Sequence, residues 1–525
     1  MMNNIEKWSA AVFWLFLCAL YSFWAWTPQL NDFGGDSAIY LLTAQHWSFF
    51  GGTNPAAGQF AASTTYPPLY PLLLALFSAG RAWLLAHQIT ALCGVAALFV
   101  FWRCLRVAGL PFIDSLIAIA LIALVPGVYL QALFIHSEFL FLLFVSICLY
   151  AVFRLEQKGS VNLVALASLA AAGAFLTRTV GLSLVVALGV YLLLHRTRRE
   201  LVIYLVLAVA PVWAWMQFGQ SVGGGYLATW TERLGIVGSP TIASMLASQS
   251  AALIDGFREN IVGQRPTNIV AFLLLSAGCI VAWVLRLSQG KLDALFLGAY
   301  FAILLAWPFP AERVRFILPA VPIAIVQLFL ALHAWTTARF PKGGNIGTRL
   351  AIILLGVTIA PSLILTAERF MEPMPSEMEG YRRSAQWYGW GDREARLTAI
   401  YQYRRLQTGF EELRDYVARD ECVYSIKPSL VGLFAERNSY RSPLPNSSLG
   451  KQLDASRVQY RYVHMLAFSS PTFPDGFYPL ATWADRMDII HATHLIESDQ
   501  TSTALVLLGK IRGKPLDKIE GVSIK

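Results

Sequence analysis

The chain has 525 residues, of which 56% are hydrophobic and only 14% are charged. Soluble globular proteins carry about 25% charged residues, so this composition excludes a soluble enzyme, a secreted module and a nucleic-acid-binding protein. The net charge is +9 at pH 7. Most of it lies in residues 1–366, which hold 20 Lys and Arg against 12 Asp and Glu, whereas residues 367–525 hold 21 against 20.

Apolar segments recur along residues 1–366, and most are about as long as a helix that crosses a hydrocarbon layer of ~30 Å. We predict about eleven transmembrane helices, at 8–26, 82–104, 112–132, 137–155, 161–176, 179–195, 201–218, 267–286, 293–308, 315–337 and 350–366. The first run is longer than a typical signal-peptide core and no small-residue cleavage site follows it. We therefore interpret it as an uncleaved span.

The distribution of Lys and Arg predicts the orientation of these spans. With a cytoplasmic N-terminus, the inner loops carry 13 Lys and Arg, and the longer outer segments carry 7. Short cytoplasmic loops are enriched in these residues, so we expect the N-terminus in the cytoplasm. After an odd number of spans, the three outer segments are 27–80, 219–266 and 367–525.

Residues 367–525 have an ordinary soluble composition. Within them, Cys422–Ile426 and Ala504–Ile511 predict β-strands, whereas 410–419 and 480–491 predict amphipathic helices. The expected fold class is a polytopic α-helical membrane protein, with a transmembrane module at 1–366 and a C-terminal extracytoplasmic α/β domain at 367–525. The six cysteines form no CxxC or Cys/His cluster, which indicates neither a zinc site nor a disulfide framework.

The first outer segment holds two acids and no Lys or Arg. Asp36 begins an aromatic-rich run of helical spacing, which predicts a helix lying in the membrane interface. A carboxylate at this position suits a helix N-cap and suits catalysis equally well, and Tyr40 lies one turn further along the same face. Asp32 precedes this run. Tyr66 opens a proline-rich stretch that leads into a short apolar helix at 72–77.

Ionisable residues also fall at the predicted outer ends of later spans. Glu138 is either an interface residue or a site carboxylate, while for the neighbouring His136 we favour a structural role. Arg178 runs against the positive-inside trend. It either anchors the interface or binds a phosphate, because a guanidinium group forms bidentate pairs with phosphate oxygens.

Arg313 and Arg315 add two cations at the outer face, and pairing of Glu312 with one of them would leave the other free. Together, the acids, the arginines and the apolar surroundings indicate a site for a lipid-linked phosphate. A nearby carboxylate would activate a hydroxyl or amine nucleophile.

The order of these segments resembles the GT-C superfamily of integral-membrane glycosyltransferases, especially the protein O-mannosyltransferases and the lipid A aminoarabinose transferases. Each motif is short, so the resemblance depends on their shared order along most of the chain. The matching stretches are 35–40, 66–71, 137–138, 177–181, 312–319 and, after the last span, 424–437.

This resemblance implies a glycosyltransferase that moves a sugar, with inversion, from a polyprenyl-phosphate-linked donor to a glycan, lipid or protein acceptor outside a bacterial inner membrane. Asp36 would be the catalytic base or would orient the acceptor, with Glu138 or Asp32 as helpers. Many relatives have an adjacent acidic pair after the first-loop aspartate, whereas Ser37 and Ala38 follow here. A divalent metal ion is left open as a cofactor. The implied substrate-binding residues are Asp32, Tyr40, Tyr66, His136, Arg178, Arg313, Arg315 and Lys427.

Two other functions stay open. A flippase or transporter of lipid-linked sugars would share the basic outer site, but it would need polar residues through the membrane midplane and often a repeat with broken helices, and neither is evident in the sequence. A polysaccharide polymerase or ligase would use the same kind of donor. The large tail and the acidic first outer segment favour the transferase over it.

Overall fold

The computed structural model describes residues 4–27, 29–32, 35–48, 54–61, 66–77, 80–196, 198–221, 242–263, 269–307, 313–340, 346–388, 392–425, 427–441, 460–466, 487–496 and 502–511. Contacts divide the chain into two compact units. The first comprises Met1–Pro28, Thr64–Tyr70 and Leu84–Pro373, and the second comprises Gln29–Ser63, Pro71–Trp83 and Met374–Lys525. Most of the first outer segment is thus grouped with the tail, and the domain boundary at residue 366 stays a prediction.

The first unit is built from helices, two of which are joined by an irregular turn. A π-helical turn at Leu205–Val209 makes one continuous helix of Arg198–Tyr204 and Ala210–Ser221. The other helices are Asn4–Trp24, Trp83–Val107, Phe112–Ala123, Pro126–Leu130, Glu138–Lys158, Val161–Thr177, Leu182–His195, Ile242–Val262, Ile269–Ser288, Leu292–Leu305, Arg313–Ile317, Ala320–Arg339 and Ile346–Met371.

Seven helices of the described residues are long and apolar enough to cross a membrane. An eighth candidate is the pair Phe112–Ala123 and Pro126–Leu133, which bends by 62° at a short break. Shorter apolar helices lie at three further predicted spans, at Val161–Thr177, Thr179–His195 and Leu292–Leu305. The prediction of a polytopic helical membrane protein is confirmed, whereas the count of about eleven spans is not.

Glycines allow the helix Glu138–Lys158 to pack closely against two neighbours. The Phe139 ring lies 2.8 Å from the position that a Cβ would take on Gly94, and the Phe144 ring lies 2.7 Å from that position on Gly173. Small residues permit membrane helices to approach this closely. These contacts fix the first turns of the helix, where Glu138 lies.

The second unit combines short helices with a small sheet. Its helices are Asp36–Trp47, Ala57–Ala61, Leu69–Leu76 (whose first two residues belong to the first unit), Ala385–Tyr388, Arg393–Glu411, Leu413–Tyr416 and Pro428–Leu430. The strands are β1 (Cys422–Ser425), β2 (Ser439–Arg441), β3 (Tyr460–Leu466), β4 (Met487–Ile496) and β5 (Ser502–Ile511). They form one sheet in the order β2-β1-β3-β5-β4. The pairs β1–β2 and β1–β3 are parallel, and β3–β5 and β4–β5 are antiparallel.

Both predicted strands of the tail are confirmed by β1 and β5. The predicted helix at 480–491 is wrong from Met487 onwards, because these residues belong to β4, and 480–486 lie outside the described residues. The pairing of β4 with β5 shifts register between Ile489 and His491 and again between Thr493 and His494. Such irregularities interrupt the alternation of side chains, which hid the strand. The predicted helix at 410–419 is only partly correct, because regular helix ends at Tyr416.

Candidate functional site

A buried cluster of charges lies in the first unit. Arg178 Nη1 lies 2.6 Å from Glu138 Oε1, and Arg315 Nε donates a hydrogen bond to the same oxygen. Arg178 also donates to Ser137 Oγ at 3.2 Å. Glu138 is 1% exposed, and its Oε2 is buried with no hydrogen-bond partner in the part of the chain that the structure describes. Three residues that are far apart in sequence therefore form one charged site.

The three side chains lie where helices begin or break. Glu138 is the first residue of its helix. Arg178 follows the helix Val161–Thr177 in an extended conformation, with φ −148°, and Arg315 lies within the five-residue helix Arg313–Ile317. Burying a charge within a membrane is costly, and here the pairing of both guanidinium groups with the Glu138 carboxylate offsets that cost.

Arg313 belongs to a second, more exposed cluster in the same unit. Its Nη2 lies 2.8 Å from Asp255 Oδ2 and 3.3 Å from Glu259 Oε1. Burial raises the pKa of Asp255, but the hydrogen bond from Arg258 and the charge of Arg313 outweigh it and leave the pKa lowered. The prediction that Arg313 or Arg315 is unpaired is wrong, because each guanidinium group has a carboxylate partner.

Sequence analysis missed Asp255 and Glu259. Both lie on the helix Ile242–Val262, and their spacing of four residues places them on one helical face. This spacing could have identified the two acids from the sequence alone. Glu312, which the sequence suggested as the partner, lies outside the described residues.

The two acids of the first outer segment, in the second unit, have different surroundings. Asp32 is buried, and its Oδ2 accepts hydrogen bonds from the Ser37 backbone N–H and hydroxyl, both at 2.9 Å. Asp36 is half-buried and begins the helix Asp36–Trp47, whose N-cap residue is Gly35 with φ +99°. The interpretation of Asp36 as the N-cap is therefore wrong. Asp32 supplies the carboxylate that accepts from the first turn.

Lys427 lies beside the turn that leads into this helix. Ser429 Oγ donates to the Gly35 carbonyl at 3.2 Å. A Cβ on Gly35 would lie 2.8 Å from Ser429 Oγ and 3.8 Å from Lys427 Cδ. The positive φ and the lack of space both favour glycine at this position. Asp36 and Lys427 are thus neighbours of the same turn.

The remaining predicted site residues differ in how far they are buried. His136 is buried, its ring stacks on Phe134 with centroids 5.1 Å apart, and its Nδ1 lies 3.1 Å from Gln131 Nε2. Tyr40 is 3% exposed, and Tyr66 is half-buried. Within the described ranges, no group of three or more His, Cys, Asp or Glu side chains could hold a metal ion.

Comparisons with solved structures show similarity of fold. A structure of ArnT from Cupriavidus metallidurans bound to undecaprenyl phosphate matches with a TM-score of 0.53 and 12% identity, over 95% of this chain and 97% of that chain. The apo structure of ArnT gives 0.51 and 13%, over 96% and 98%. The oligosaccharyltransferase AglB from Archaeoglobus fulgidus gives 0.47 and 15%, over 88% and 70%.

No protein-family model matches the sequence, and no curated protein matches it. The two ArnT structures have TM-scores above 0.5, so they show that this chain shares their fold. The predicted resemblance is therefore confirmed at the level of the fold, while activity must be argued from the site.

Proposed function

We propose that this protein is a glycosyltransferase that moves a sugar, with inversion, from a polyprenyl-phosphate-linked donor to an acceptor outside a bacterial inner membrane. The observation that carries the proposal is the buried cluster of Glu138, Arg178 and Arg315. Its support is the shared fold with ArnT, which was solved with undecaprenyl phosphate bound. Two arginines near an apolar membrane region suit a phosphate on a lipid chain.

Arg178 and Arg315 would hold the phosphate of the carrier. Each guanidinium group presents its N–H donors in a planar fork, a geometry that matches two oxygens of a phosphate. When the bond between the sugar and the phosphate breaks, negative charge grows on the leaving phosphate. Fixed cations stabilise that charge without having to reorganise.

Asp36 would be the general base. It would take the proton of an acceptor hydroxyl or amine while the acceptor atom bonds to C1 of the sugar. The C1–O bond to phosphate breaks, and the polyprenyl phosphate leaves with the electron pair. Asp36 suits this role better than Asp32, because Asp32 is buried and occupied by Ser37. Lys427, beside the same turn, would contact a substrate.

Glu138 would orient the two arginines rather than move a proton. Its Oε1 is shared by both guanidinium groups. The shared negative charge offsets the Coulomb repulsion between the two guanidinium groups. The transfer experiment identifies the sugar. It also shows whether the acceptor is a glycan, a lipid or a protein.

The test is sugar transfer by the purified protein in liposomes, with a panel of radiolabelled polyprenyl-phosphate sugars and an envelope extract as acceptor. We expect addition of single sugars by the wild type and loss of transfer in Asp36→Asn. Products that form a ladder of increasing length would favour a polymerase. Movement of labelled lipid between leaflets without transfer would overturn the proposal in favour of a flippase.

A further inference from the structure

Two buried side chains donate hydrogen bonds to the backbone carbonyls of the residues on either side of Arg315. Asn260 Nδ2 donates to the Val314 carbonyl at 2.7 Å, and the Tyr300 hydroxyl donates to the Phe316 carbonyl at 2.6 Å. Asn260 and Tyr300 are each 1% exposed. They come from two different helices, so the backbone of Arg315 is fixed from two directions.

Such support is needed because the helix Arg313–Ile317 has only five residues. A helix this short is not stable by itself. We propose that Asn260 and Tyr300 are positioning residues that fix the Arg315 guanidinium for the carrier phosphate. This inference rests on the proposed function, because it gives Arg315 the phosphate-binding role described above.

Asn260 is itself tightly held. Its Nδ2 also donates to the Gly256 carbonyl at 2.8 Å. Its Oδ1 lies only 1.9 Å from the position that a Cβ would take on Gly127, so any larger residue at 127 would displace the amide. Gly127→Ala should therefore displace Asn260 from the Val314 carbonyl while the sequence of residues 313–317 stays unchanged.

Tyr300 is held by aromatic packing that does not involve its hydroxyl. Its ring centroid lies 5.4 Å from that of Phe296 and 6.2 Å from that of Phe141. Tyr300→Phe should therefore keep the ring in place and remove only the hydrogen bond to Phe316. A matched control is Tyr21→Phe, because Tyr21 is 0% exposed and its hydroxyl donates to the Ala123 carbonyl at 3.0 Å.

The first test is steady-state kinetics of transfer by the full chain. We expect Tyr300→Phe to raise the KM for the donor about fivefold, the effect of one lost hydrogen bond, with kcat changed less than about twofold. Gly127→Ala should act in the same direction, and Tyr21→Phe should change neither constant. A lower kcat at unchanged KM in both tyrosine variants would mean a loss of folded enzyme and would overturn the inference.

The second test does not require activity. Amide hydrogen exchange of residues 314–317 should be faster in Tyr300→Phe and in Asn260→Ala than in the wild type or Tyr21→Phe. Unchanged exchange in both variants would overturn the positioning role. The wild type could also fail to transfer sugar or bind polyprenyl phosphate while the two variants still exchange faster. That result would overturn the proposed function and leave the support of Arg315 by Asn260 and Tyr300 in place.

Discussion

The Arg178 guanidinium group lies 2.6 Å from the Glu138 carboxylate, with side-chain exposures of only 11% and 0%. Another ion pair uses the opposite end of the same helix, where Lys291 Nζ lies 3.1 Å from Glu156 Oε1 and both side chains are 31% exposed. Because their burial differs, the two pairs should contribute differently to the free energy of unfolding. When a buried pair is broken, the remaining charge has neither a partner nor water around it. When an exposed pair is broken, water solvates the remaining charge.

We therefore predict that Glu138→Ala lowers the free energy of unfolding by about 3–5 kcal/mol. Glu156→Ala, on the same helix, should cost less than about 1 kcal/mol. The measurement is denaturant unfolding in detergent micelles, followed by helical circular dichroism. Equal losses in the two variants would contradict the buried ion pair.

The two arginines of the helix Arg313–Ile317 should differ in their effect on donor binding. Lysine keeps the positive charge but cannot form the bidentate pairs of a guanidinium group. We expect Arg315→Lys to raise the KM for the donor about tenfold and Arg313→Lys to raise it less than about threefold. Two carboxylates, of Asp255 and Glu259, engage Arg313, whereas Arg315 shares one carboxylate with Arg178. A larger effect at Arg313 would assign the carrier phosphate to the exposed cluster.

Asp36 and Asp32 should separate into a catalytic and a structural acid. Asp36→Asn is expected to lower kcat by about 10²–10⁴-fold, the usual contribution of a general base, with unchanged thermal unfolding. Asp32→Ala should instead cost about 0.5–2 kcal/mol of stability, because it removes the acceptor for Ser37. Full activity in Asp36→Asn would exclude this residue as the base.

The tail should lose stability in acid through His464. This residue of β3 is 2% exposed and lies against the Phe410 ring, with centroids 4.7 Å apart. Burial lowers the pKa of His464 to about 3, whereas the unfolded side chain has a pKa of about 6.5. Below about pH 6.5 the unfolded chain therefore binds a proton that the folded chain does not, and stability decreases as the pH falls towards 3.

This contribution of His464 should be absent above about pH 6.5 and should reach about 1.4 kcal/mol per pH unit below it. The measurement is amide exchange of β3 in the full chain between about pH 7 and 5, corrected for the intrinsic exchange rates. His464→Gln should flatten the dependence. The same slope in wild type and variant would assign the pH sensitivity to other groups.

Much of the fold was predictable because it is encoded locally. The apolar runs matched helices such as Glu138–Lys158 and Ile346–Met371 within a few residues, because the length of a helix depends on consecutive side chains. The strands β1 and β5 were found for the same reason. β4 was missed because its irregular register is set by pairing with β5 and leaves no clean alternation in its own sequence.

The sequence by itself determined that this is a polytopic membrane protein, which acids and arginines interrupt its apolar pattern, and which superfamily it resembles. Only the tertiary structure decided how those charges pair. Arg315 bonds to Glu138 across 177 residues, while Arg313 bonds to Glu259 across 54. Charge pairing depends on distance in space, and helix packing sets that distance, so two arginines only two residues apart joined different clusters.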